Sequence, residues 1–264
     1  MPLNIVVCIK QVPDARTVRF DAEKGTIIRE GVDAVINPVD LNALEAGLSL
    51  KDALGGEVTA ISMGPPQAVE ALRETIAMGV DKGVLLSDRS FAGSDTLATT
   101  YILAKGIEML GRFDVVICGK QSMDGDTAQV GPGLAVRLGL PSVAYVKEIT
   151  VLNDGGLFRF RRETDSGYDV VEVEPPFLVT VPPLLNTPRL PSLKGKMRAK
   201  KADITIYNAN DIKADLKKIG FEGSPTRVVS TAVHAFNARK EMLSGTVEEQ
   251  VRALIGRLKE AGLL

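Results

Sequence analysis

Short, continuous apolar runs rich in β-branched residues punctuate this chain: NIVVCI from Asn4, EVTAIS from Glu57, VLL from Val84, VVIC from Val115 and FLVTV from Phe177. A strand with one wet face alternates apolar and polar residues, whereas a strand covered on both faces is apolar nearly throughout. Between the runs lie segments with apolar residues at helical spacing, such as Leu41, Leu44 and Leu48, or Val69, Leu72 and Ile76. Strands joined by helices of this length pair in parallel through right-handed crossovers. The expected fold is α/β, a doubly wound and mostly parallel sheet of the Rossmann-like kind.

Local signals divide the chain further. Asp40 is placed to cap the first helix, which Gly55 and Gly56 stop, and Ser94 or Asp95 to cap a helix running to about Leu110. Residues 17–20 and 26–29 flank DAEKG as a hairpin, and SVAYV from Ser142 is read as one strand. From residue 148 to 174, alternating apolar and polar residues around NDGG and TDSG predict an antiparallel excursion before FLVTV rejoins the main sheet. The nucleotide-binding domain is therefore drawn as 1–184. Beyond it, LLNTPRLPSLKGKMRAKKAD carries Pro188, Pro191 and cations at Arg189, Lys194, Lys196, Arg198, Lys200 and Lys201, the signature of an extended basic stretch. Residues 210–219 and 246–261 have helical patterns. An arm wrapping another subunit and a helix packed on its own domain both account for them, so 185–264 is read as docking loop and arm.

Composition narrows the chemistry. The 264 residues carry a net charge of −1, which supplies no global field for nucleic acid or an anionic membrane. With one histidine, His234, and two cysteines, histidine-based triads and metal sites have little to be built from. Cys8 and Cys118 lie in apolar runs and fit reduced, buried thiols of a cytoplasmic protein. No apolar run reaches the roughly 18 residues of a membrane span.

In open parallel sheets ligands sit at the carboxyl ends of strands. Three such ends here are unusual: Cys8-Ile9-Lys10-Gln11-Val12-Pro13-Asp14, Met63-Gly64-Pro65-Pro66, and the stretch from Gly119. Gly119 permits close backbone approach, Gln121 and Ser122 offer hydrogen bonds, and Asp124, Gly125 and Asp126 form a turn. Pro132 belongs in the first turn of the helix that follows, leaving free amides before it as an anion site for phosphate or pyrophosphate. Asp126 or Thr127 is placed to cap that helix. A structural loop explains the same residues about as well. The chain has no G-x-G-x-x-G, no G-x-x-x-x-G-K-[ST] and no G-x-S-x-G, so it carries the means to bind a nucleotide without an evident nucleophile or base.

The segments VVCIKQVPD, INPVD, SMGPPQAVEALRETIAMGVDKG, FAGSDTLAT, CGKQSMDGDTAQVGP and LNTPRLPSLKGK together resemble the β subunit of electron-transfer flavoproteins, in register along nearly the whole chain. That resemblance implies a heterodimer with an α subunit that carries the electron-transferring FAD. It implies a pocket formed by Cys8, Lys10, Asn37, Pro38, Val39, Asp40, Met63, Gly119, Lys120, Gln121, Ser122, Met123, Asp124, Gly125, Asp126, Thr127, Ala128, Gln129 and Val130. In simple members the pocket holds structural AMP; in electron-bifurcating members it holds a second FAD that takes a hydride from NADH. The stretches DGDTAQVGP and KQVPD look closer to bifurcating members, including those associated with nitrogen fixation. Their acceptors would be a ferredoxin or flavodoxin and a quinone-linked or acyl-CoA dehydrogenase partner. The family's partner-docking loop falls on residues 186–201, with Asn186, Pro188, Arg189, Leu193 and Lys194 as its contacts. Leu190 and Pro191 depart from the tyrosine and alanine common in simple members.

Overall fold

The structure, a computed structural model, describes residues 2–14, 19–21, 26–28, 34–227, 229 and 240–264. In chain order the elements are β1 (Leu3–Cys8), β2 (Gln11–Pro13), β3 (Arg19–Asp21), β4 (Thr26–Ile28), β5 (Ala34–Ile36), α1 (Pro38–Leu54), β6 (Gly56–Met63), α2 (Val69–Met78) and β7 (Lys82–Leu86). They continue with α3 (Thr96–Met109), β8 (Val115–Gly119), α4 (Val130–Leu138), β9 (Ser142–Val143), β10 (Val146–Leu152), β11 (Leu157–Thr164), β12 (Gly167–Val173) and β13 (Phe177–Val181). The last are α5 (Leu193–Lys201), β14 (Ile204–Tyr207) and α6 (Val247–Glu260).

Seven strands form one parallel sheet in the order β14-β7-β6-β1-β8-β13-β9. The continuous apolar runs are its interior, since β1, β8 and β13 are buried on both faces. Leu44, Leu48 and Leu72 of α1 and α2 pack on one face, and Ile102, Ile107 and Leu134 of α3 and α4 on the other. The chain leaves β1 towards β6 and later returns to β8 on the opposite side, so the winding reverses between β1 and β8. There Cys8 and Cys118 are register partners.

The excursion is a three-stranded antiparallel sheet, β10-β11-β12. It is fixed to the main sheet by Phe158 and Phe160, whose rings meet Phe177 edge-on at 5.0 and 5.2 Å between centroids. SVAYV is not one strand: Tyr145 takes a φ of 63°, which breaks it into β9 and the start of β10. The β3–β4 hairpin forms, while its turn at 22–25 and His234 lie outside the described residues.

Beyond residue 184 the chain is less extended than its prolines and lysines imply. Leu193–Lys201 is a helix capped by Ser192, whose hydroxyl accepts from the Gly195 N–H at 2.9 Å. Ile204–Tyr207 joins the main sheet beside β7. Residues 210–219 hold turns and a 3-10 segment at Leu216–Lys218 in place of an α-helix. Thr246 caps α6 with Glu249 in a reciprocal capping box.

Candidate functional site

The reversal between β1 and β8 opens a crevice at their carboxyl ends, where this architecture places ligands. Its floor is built from the first turn of α1. Pro38 starts that helix without needing a backbone donor, so the cap position falls to Asn37 and Asp40 lies inside the helix. Asp40 is therefore no cap. Its carboxylate accepts from the Lys10 N–H at 2.8 Å and from the backbone of Gly119. Burial pushes the Asp40 carboxyl up to about 7, against the bonds from Asn37, Lys10 and Gly119 that favour its ionised form.

Gly119 is required by this carboxylate. A Cβ there would run into Asp40 Oδ1 and lie 3.1 Å from the Val39 carbonyl carbon. The close approach expected of a ligand at Gly119 is thus made by Asp40. Cys118, buried beside Cys8, has its thiol pKa raised well above normal by the hydrogen bond with Cys8 and by burial, which disfavours its reactive thiolate.

Asn37, fully buried, staples two loops together. Its backbone N–H donates to Lys10 O at 2.8 Å, its Nδ2 to Gln121 O at 2.9 Å, and its Oδ1 accepts from the Met123 N–H at 3.2 Å. Lys10 Nζ reaches both oxygens of Asp124 at 2.7 Å. Burial raises the Asp124 carboxyl, but the bonds from Lys10 and Ser122 outweigh it and hold the group below its usual range.

The rim is the stretch after β8. The Asp126 N–H donates to Ser122 O at 2.9 Å, and Gln121 Nε2 donates to Asp126 Oδ1. Asp126 and Ala128 both adopt a φ of 54°, in the left-handed region. The helix begins at Val130 with Gln129 before it and no side-chain cap, so neither Asp126 nor Thr127 caps it. Gln129 instead accepts from Thr96 Oγ1 at 2.8 Å. The first N–H groups of a helix have no partner within it, and α4 begins without a side-chain cap to take their place.

A nucleotide fits these donors. The charge of Asp124 is paired with the Lys10 ammonium, and Asp126 accepts a hydrogen bond from the neutral Gln121 amide. A Cβ on Gly125 would meet only Ser122 Oγ at 3.3 Å. Lys120 stands apart: its N–H donates to Val181 O at 2.7 Å and its Nζ lies 4.8 Å from the Tyr145 ring centroid. It faces a cleft of about 550 Å³ shared with Arg162, Glu163 and Asp165. Met63 ends β6 partly buried, beside the 3-10 turn at Pro66–Ala68. Thr96, Tyr145 and the Asn37 staple were absent from the sequence reading of how the site is held; only the Asn-Pro before α1 hinted at one of them.

Of the expected docking residues, Asn186 and Arg189 bond inward to α1, while Leu193 and Lys194 are exposed and Pro188 is partly covered. Among the described residues no helix is long and apolar enough to cross a membrane, and no cluster of metal-binding side chains occurs.

The family model "Electron transfer flavoprotein domain" matches residues 24–212. The chain is 47% identical over 258 residues to the electron transfer flavoprotein subunit beta of Clostridium acetobutylicum, covering 98% of each. It is 45% identical to the caffeyl-CoA reductase-Etf complex subunit CarD of Acetobacterium woodii, over 99% of this chain and 100% of the relative. Protein FixA of Azorhizobium caulinodans is 46% identical over 90% of this chain and 86% of its own.

Proposed function

We propose a function from the premise that this chain belongs to the electron transfer flavoprotein family, as a β subunit. In this reading it pairs with an α subunit in the cytoplasm, or at a membrane surface through further subunits. Its β1–β8 crevice binds FAD, NADH delivers the electrons, and they divide between a low-potential carrier such as ferredoxin or flavodoxin and a higher-potential acceptor. FAD held there would supply the redox chemistry, hydride acceptance and electron transfer.

The chain's own residues do the holding. Backbone N–H groups of residues 127–131 and the end of α4 take the pyrophosphate, favoured by the helix dipole. Asn37 and the Lys10–Asp124 pair keep the two loops at a fixed separation, and Asp40 and Gly119 close the floor against water. No side chain is assigned as acid or base, in keeping with a site where the cofactor does the chemistry.

The observation that carries this reading is the uncapped start of α4 after β8, the strand that borders the winding reversal. The likeness to FixA and CarD supports the bifurcating form over one holding structural AMP. Acid extraction of the purified heterodimer is expected to yield two FAD per αβ pair together with NADH oxidation. One FAD plus one AMP replaces the bifurcating form with the simple one, in which the pocket is structural.

The exposed segment around Leu193 and Lys194 docks the higher-potential acceptor. The relative named for a caffeyl-CoA reductase-Etf complex supports the acyl-CoA dehydrogenase class of flavoenzyme for that role.

A further inference from the structure

Residues 190–194 project between two fastenings. Upstream, Arg189 donates to Glu45 from its backbone N–H at 2.9 Å, from Nε at 2.8 Å and from Nη2 at 2.9 Å, and Nη2 also reaches Asp52 at 2.8 Å. One turn earlier on α1, Asn42 Nδ2 donates to Asn186 O at 2.9 Å, and Asn186 Nδ2 donates back to Asn42 O at 3.0 Å. Downstream, Gly195 lies so close to the Ala77 carbonyl that a Cβ would run into it. Arg198 Nη2 donates to Ile76 O at 2.8 Å and Val80 O at 2.7 Å, tying α5 to the end of α2. Between the fastenings Leu190 is 87% and Leu193 78% exposed.

Glu45 is only 7% exposed, yet it faces no catalytic feature. Burial alone would raise its carboxyl, but the bonds from the Arg189 guanidinium and N–H outweigh it and hold the group below its ordinary range. A paired-oxygen, fork-on-fork contact of this kind fixes orientation as well as energy. A segment ordered before it meets a partner loses less freedom on docking.

We infer that Glu45 is a positioning residue: through Arg189 it holds the Leu190–Leu193 tip in the shape that an acceptor protein binds, without touching the acceptor itself. Around the tip, residues 189–202 carry cations at Lys194, Lys196, Lys200 and Lys201 and no carboxylate. The occupant they match is an acyl-CoA dehydrogenase-class flavoenzyme presenting an apolar recess with an acidic rim. This inference rests on the docking role given to the segment above.

The test titrates an acyl-CoA dehydrogenase into the αβ heterodimer and follows its reduction. Glu45→Gln and, independently, Asn42→Ala are expected to raise the KM for the dehydrogenase at least about fivefold. The kcat at saturation and the flavin content stay as in the parent complex, and hydrogen exchange speeds up at residues 186–192. Leu193→Asp serves as the contact control and is expected to abolish saturation. Impaired Leu193→Asp with an unchanged KM in both loosened variants overturns the positioning role alone. An unchanged KM in Leu193→Asp overturns the docking segment and this inference with it. Should one loosened variant fail to assemble, the KM of the other decides.

Discussion

Asp40 is the residue on which the crevice floor depends, because two loops converge on its carboxylate. The groups facing it are the Lys10 N–H and ammonium, the Gly119 N–H, the Asn37 side chain and the Cys118 thiol. The folded chain holds the Asp40 proton more tightly than the unfolded chain, whose value is near 3.8. Its contribution to stability is therefore complete below about pH 3.8 and is lost as pH rises to about 7. Asp40→Asn is expected to flatten the fall in thermal midpoint between those limits, removing up to a few kcal/mol of pH dependence. An unaltered slope in the variant would rule out Asp40 as its source. Gly119→Ala forces a methyl against the same carboxylate and should cost about 1–3 kcal/mol in denaturant unfolding; wild-type stability would mean that the floor is looser than its contacts imply. The sequence pointed to both residues but not to their relation. An acid near a helix start reads as a cap, and only the Pro38 start, which moves the boundary back, turns it inward.

At the level of elements, the parallel strands and their helices were legible because each carries its own period: continuous apolar runs in β1, β8 and β13, and helical spacing in α1 and α2. The antiparallel excursion announced itself by alternation. Helix α5 did not, since its five cations read as an extended basic stretch, and what orders it is external: the Ala77 carbonyl, Arg73 reaching Ala199 O at 2.8 Å, and the Ser192 cap. Gly195→Ala should therefore detach α5 from α2 and expose Arg198 to exchange, measured by hydrogen exchange across 193–201; unchanged protection would contradict the close packing. Helix α6 is the opposite case, strongly patterned and with none of its residues buried. Val247, Val251, Leu254 and Ile255 are exposed along it. Leu254→Asp is expected to weaken αβ assembly at least tenfold by sedimentation while the unfolding midpoint of the isolated chain stays put. An equally stable heterodimer would show that this stripe is not part of the arm's contact.

For the whole molecule, the order β7-β6-β1-β8-β13 makes one place special, the reversal between β1 and β8, where the Asn37 and Lys10–Asp124 contacts gather. Strand alternation predicted the sheet, but not that β13 would insert between β8 and β9, because pairing order depends on where the excursion returns. The rim was legible in outline from Gly125, Pro132 and the polar run before it. The pairing of Asp124 was not, since Lys10 and Asp124 are 114 residues apart in sequence and meet only through the fold. The position of the nucleotide phosphates in crystals of the assembled αβ pair is the most direct measurement of the central claim. Phosphate oxygens within hydrogen-bond distance of the amide nitrogens of residues 127–131 are the predicted result; phosphates seated elsewhere on this chain, or a crevice filled by its own side chains, would contradict it.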